Sequence, residues 1–154
     1  MLAGDFVTMS RAADRVTPSP RPNAWRIHNL TLAAIPLGLF KLCYYVSVLA
    51  AGWFALGLGP VEMRTLTFVM LVFAGQATVY VLRERGPFWS SRPAAVMLFA
   101  SSADVAVVAS LAIGGILMAP LPPAIIGLLF VATLAFAFAL DFVKMTVFSR
   151  LRID

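Results

Sequence analysis

The sequence predicts an all-α integral membrane protein, a four-transmembrane-helix bundle with both its N- and C-termini in the cytoplasm. Three observations carry that prediction. Apolar residues make up 61% of the chain and charged residues only 12%, about half the charged fraction of a soluble domain. The apolar residues fall into four runs separated by short polar or Gly/Pro-rich breaks. The basic residues gather in alternate connections along the chain, which is the pattern of the positive-inside rule.

Residues 1–29 form a polar segment ending in a Pro-rich loop, TPSPRPNAW, in which Pro18, Pro20 and Pro22 remove backbone donors and favour extended geometry. Trp25 and Arg26 suit the membrane surface. This stretch lacks the apolar core of a signal peptide. The transmembrane domain is expected over 30–148. Its first span, about 30–56, contains one charge, Lys41, and a Pro36 that should kink its early turns. GLGPVEMR, Gly57–Arg64, reads as a short turn, and the second span, about 65–82, is uncharged with one amide, Gln76. RERGPFWSSRP is a basic loop with Trp89. The third span, about 94–117, carries a lone acid, Asp104. MAPLPP makes a tight turn, and Pro122–Pro123 suit the first turn of the fourth span, about 121–141, where missing donors cost nothing. That span contains LAFAFA, which alternates like a strand. An open strand edge cannot face lipid, so the long apolar run favours helix. Residues 149–154 are a basic cytoplasmic tail. At about 1.5 Å rise per residue the third run makes a helix of roughly 36 Å, enough to cross a hydrocarbon core of about 30 Å.

The N-terminal segment carries Arg11, Arg15, Arg21 and Arg26, the middle loop Arg83, Arg85 and Arg92, and the tail Lys144, Arg150 and Arg152. The two remaining connections carry only Arg64. Four crossings place all three basic regions on one side, the cytoplasmic one. The net charge of +5 follows from this topology, so nucleic acid is not an expected partner, whereas membrane lipid is. The single Cys43 excludes a disulfide framework and a cysteine metal site.

Asp104 is the residue the other spans must shelter, because a carboxylate in the middle of a span costs several kcal/mol unless it faces protein or water. It is either an ion-path residue or a neutral carboxyl hydrogen-bonded to Ser101 or to a neighbouring helix. Lys41 lies at a similar depth from the same side, so Asp104, Lys41 and Gln76 form a candidate intramembrane polar network, with a Lys41–Asp104 ion pair at its centre. The alternative for Lys41 is to snorkel to the interface. Asp141 and Lys144, three apart at the end of the fourth span, should pair on one helix face. Ser102, Ala106, Ser110 and Gly114 recur every four residues, a small-residue ladder of the kind that lets helices approach closely. The ladder points away from Asp104, so burial of both would make the third span central. His28 is a lone interfacial histidine, and the glycines of LGLGP are not followed by phosphate-binding spacing. No catalytic residue and no metal site is expected.

DRVTPSPRPNAW, Asp14–Trp25, resembles the cytoplasmic loop after the sixth membrane helix of P-type ATPases of the plasma-membrane proton-pump type. Asp14, Arg15, Pro18, Pro20 and Trp25 carry that loop motif. GDFVTMS before it is similar to the end of the sixth helix, RERGPFWSSRP to the loop before the ninth, and LDFVK, Leu140–Lys144, to the acid–Phe–Lys ending of the tenth. Their order and spacing agree over nearly the whole chain.

The resemblance implies a C-terminal membrane segment holding the last four helices of such a pump. It would act as a support domain that contributes to ion transport. Its partners would be the upstream transmembrane helices and the cytoplasmic domains, and Mg and ATP would bind those missing domains, not this chain. The DKTGT, TGE and GDGVND motifs are absent from the sequence, and the family's proton-binding acid lies upstream of Met1. The initiator-like Met1 suggests a truncated gene, a split subunit or a fragment. Two alternatives compete: a self-sufficient small four-helix carrier using Asp104, and an inert gene fragment.

Overall fold

A computed structural model describes residues 27–83, 87–90 and 92–151, with side chains described over 31–83, 87–90 and 92–150. Four helices account for most of them: α1 Ile27–Ala50, α2 Pro60–Arg83, α3 Ala95–Gly114 and α4 Pro123–Leu151. All four are long and apolar enough to cross a membrane, and there is no strand among the described residues. The protein is therefore an all-α, multi-pass membrane bundle. LAFAFA lies inside α4, as expected where backbone groups must be satisfied within their own segment. The N-terminal loop with its Asp14–Trp25 motif lies outside the described residues.

The element boundaries follow from local chemistry. α1 runs through Pro36 and then widens into a π-helical turn, Ala51–Ala55, in which the Leu56 amide donates to Ala51 O at 3.0 Å. The following break is short, Leu56–Gly59, with Gly57 at φ 62°. α2 begins at Pro60, five residues before the expected start at Thr65. The GLGPVEMR stretch is thus only half turn. Pro60 sits at the first helical position and Glu62 in the first turn, both favourable helix-start chemistry. α3 ends at Gly114, short of the expected Leu117, because Gly115 adopts the left-handed conformation (φ 65°) and the Ile116 amide closes onto Leu111 O. A Cβ on Gly115 would also stand 3.2 Å from the Pro120 ring. α4 does not stop near Leu140. It continues to Leu151, since no Gly or Pro interrupts Asp141–Leu151. At 29 residues it is about 43 Å long, more than a hydrocarbon core requires.

α2 and α4 are the central elements. Each packs on all three other helices and most extensively on its central partner, while α1 leans on both. α3 is carried mainly by α2, with a smaller contact to α4. One apolar cluster joins Leu66, Val69, Met70 and Phe73 of α2 to Val108 and Ala112 of α3 and to Ile126 and Leu129 of α4. A second joins Ala74 and Val81 of α2 to Phe136 and Leu140 of α4, with Phe40 and Tyr44 of α1 packed against it. Phe136 stacks on both Phe40 and Tyr44, with centroids 5.8 and 4.2 Å away. The third span is therefore not the centre of the bundle. Its ladder of Ser102, Ala106, Ser110 and Gly114 is exposed, and its buried face is Met97, Ser101, Asp104, Val108 and Ala112.

At the end of the bundle formed by the α1–α2 and α3–α4 connections, Thr65 donates to Ala119 O at 3.0 Å. There Gly52 is buried, and a Cβ on it would come within 2.6 Å of Leu66 Cδ2 and 3.0 Å of Met63 Sδ. Gly52→Val should accordingly destabilise the bundle by about 1–3 kcal/mol, the usual cost of overpacking. Gly75→Ala, where nothing lies within 4 Å, should be neutral or mildly stabilising. Denaturant titration in mixed micelles checks both, and equal stability of the two variants would contradict the packing described.

Candidate functional site

Within the apolar bundle the polar side chains are brought together in three places. The first lies between α2 and α3. Gln76 Nε2 donates to Asp104 Oδ2; the two residues are only 8% and 7% exposed. One turn away, the Tyr80 hydroxyl is hydrogen-bonded to Ser101 Oγ, and both hydroxyl oxygens lie within hydrogen-bond reach of Met97 O, at 3.3 and 2.9 Å. Gln76 and Tyr80 are four apart on α2, and Ser101 and Asp104 three apart on α3, so each pair shares a helix face. Two helix faces then meet as a strip of one carboxyl, one amide and two hydroxyls. Gln76 Oε1 is buried in it with no hydrogen-bond partner among the described residues.

The second place is where α4 meets the C-terminal end of α2. Lys144 is fully buried and Asp141 is 2% exposed. Lys144 Nζ lies 2.6 Å from Asp141 Oδ1 and donates to Val81 O at 2.8 Å. Val81 is in the last turn of α2, whose terminal carbonyls have no partner within the helix. The ammonium therefore meets a carboxylate, an orphan carbonyl and the negative end of a helix dipole together. The third place joins α1 to α4 through a 2.8 Å hydrogen bond between the Tyr44 hydroxyl and Thr133 Oγ1.

Of the expected intramembrane network, the structure joins Asp104 to Gln76 but leaves Lys41 out. The Lys41 ammonium lies over the Tyr45 ring, 5.7 Å from its centroid, on a helix that packs against α2 and α4. No ion pair joins it to Asp104 among the described residues. Similar depth was not enough to bring them together, because α2 and α4 occupy the faces of α1 that are covered. The Asp141–Lys144 pair forms as its spacing suggests. Asp104 bonds across to a neighbouring helix, not to Ser101. Tyr80, Tyr44 and Thr133 were not anticipated from the sequence. Tyr80 could have been found from its position one turn after Gln76 on the same face. Among the described residues no group of His, Cys, Asp and Glu is placed to hold a metal ion.

Comparison with known protein families finds no match to the chain. The chain is similar to a protein of Methanocaldococcus jannaschii named "Putative cation-transporting ATPase MJ1226", with 25% identity over 154 residues. The similarity covers 99% of this chain and 19% of that much longer protein.

The Lys144 contact yields a direct test. Lys144→Met leaves the Asp141 carboxylate buried without its counter-charge and should cost about 3–5 kcal/mol in unfolding free energy. Adding Asp141→Leu to that variant removes the uncompensated charge and should recover most of the loss. Recovery is read by denaturant titration in the same micelles, and a double variant no more stable than the single one would contradict the pairing.

Proposed function

We propose that this chain is the C-terminal transmembrane support domain of a proton- or cation-transporting P-type ATPase of the cell membrane. The observation that carries this reading is the similarity, over 99% of this chain, to a protein named as a cation-transporting ATPase, taken with four membrane-length helices whose polar groups face one another. The chain spans about a fifth of that relative's length, which fits a segment that works with other parts. The DRVTPSPRPNAW and LDFVK motifs favour the proton-pump type and the last four helices of the pump.

In this role the chain hydrolyses no ATP itself. Phosphoryl transfer needs an aspartyl nucleophile and a Mg-nucleotide site, and the sequence carries neither motif. Its own residues supply rigidity. Lys144 ties α4 to the end of α2, next to the basic loop that leads to α3, and Phe88 of that loop packs edge-on against Phe138 of α4 at 5.2 Å. A displacement of this loop, on the proposed cytoplasmic side, would be passed to α2 and α4 together. Membrane lipid contacts the outer faces, where Ile35, Leu39, Phe99 and Phe142 are exposed.

The gene immediately upstream tests the reading. An open frame continuous with this chain and carrying a DKTGT phosphorylation motif is the expected finding. A promoter directly upstream, together with proton-coupled flux by the purified chain that is lost in Asp104→Asn, would overturn it in favour of a self-sufficient carrier.

A further inference from the structure

The Gln76–Asp104 contact has a lopsided hydrogen-bond inventory. The amide of Gln76 offers two N–H donors and one carbonyl acceptor. Its Nε2 donates to Asp104 Oδ2, while its Oε1 is buried with no partner among the described residues. An ionised carboxylate only accepts hydrogen bonds, so it can never serve that oxygen. The amide oxygen would then stay buried and unsatisfied beside an ionised acid. A protonated carboxyl removes the conflict. Its O–H supplies the one donor that the pair lacks, and its other oxygen keeps the bond from Nε2. A carboxyl so protonated has a donor to offer Oε1 while it accepts from Nε2.

We propose that Gln76 and Asp104 together form a proton-binding site between α2 and α3, with the proton held on the Asp104 carboxyl and shared with Gln76 Oε1. Among the described residues no counter-charge is paired with Asp104. On α4, Asp141 and Lys144 are engaged with each other. On α1, Lys41 lies over Tyr45. On α2 the nearest titratable side chain along the helix is Tyr80, whose hydroxyl is bonded to Ser101 of α3; Arg83 lies two turns beyond Gln76, at the end of α2. Asp104 makes no ion pair with any of them. Burying an ionised carboxylate without a counter-charge is unfavourable in a membrane span, whereas a neutral acid–amide pair is internally complete. The site is a feature of this chain alone and does not depend on the pump reading. It would exist equally in a free-standing bundle.

Infrared spectroscopy of the purified chain in lipid vesicles at neutral pH, with aspartate labelled at its side-chain carboxyl carbon, tests the proposal. The expected result is a protonated aspartic acid carbonyl band that shifts in D2O. The band should be lost in Asp104→Asn and retained in Asp141→Asn. In Gln76→Leu, which removes the partner but not the acid, it should persist at higher frequency. Helicity by circular dichroism confirms that each variant is folded. If Asp104→Asn does not fold, the wild-type band and its shift in Gln76→Leu carry the test. A folded wild-type chain with no protonated aspartate band would overturn the site, as would a band that Asp104→Asn leaves unchanged or that Gln76→Leu fails to move.

Discussion

A single ammonium sets the geometry of this bundle. Lys144 has no access to solvent or lipid, and a buried cation is tolerable only where opposite charge and oriented dipoles surround it. The structure supplies the Asp141 carboxylate from the same helix and the Val81 carbonyl from the end of α2. Because Asp141 and Lys144 are three apart, the pair can sit on one face of α4 only, and that face must be turned towards α2. This fixes both the rotation of α4 about its axis and its height relative to α2. The apolar contacts of Val81 with Leu140 and Phe136 follow from the same setting. Once Phe136 is in place, Phe40 and Tyr44 have a ring surface to stack on, and α1 is located in turn.

The remaining helix is held differently. α3 meets the bundle through Val108 and Ala112 in the apolar cluster and through two polar contacts to α2, Gln76–Asp104 and Tyr80–Ser101. Its opposite face, with the small-residue ladder, is turned outward. The bundle thus divides into a core of α1, α2 and α4 locked by charge and aromatic stacking, and a peripheral helix attached by apolar packing and two polar contacts. In the support role proposed above, the locked helices would keep their spacing.

Much of this was legible in the sequence, and the exceptions share a cause. The four helices follow from run length and the absence of polar interruptions, and the Asp141–Lys144 pair from helical spacing. Both are local properties. A Lys41–Asp104 pair rested on equal depth, but depth says nothing about which faces of which helices touch, and Lys41 came to lie over Tyr45. The ladder on α3 was readable as a close-packing surface, yet nothing local says whether the surface is covered within this chain. Gln76 was singled out as the one amide of its span, while its partnership with Asp104 depended on which face of α2 meets α3, which no periodicity reveals. The early start of α2 and the long run of α4 were in principle readable. Pro60 and Glu62 are start signals, and nothing after Leu140 is a stop.

The burial of Lys144 can be measured directly, because the chain has only two lysines, Lys41 and Lys144. The folded chain in lipid vesicles would be exposed briefly to a membrane-permeant amine reagent, and the extent of modification at each lysine read by peptide mass mapping, before and after unfolding in detergent and denaturant. Modification of Lys41 with protection of Lys144 until the bundle is unfolded is the predicted result. Labelling of Lys144 in the folded chain as readily as Lys41 would contradict the account.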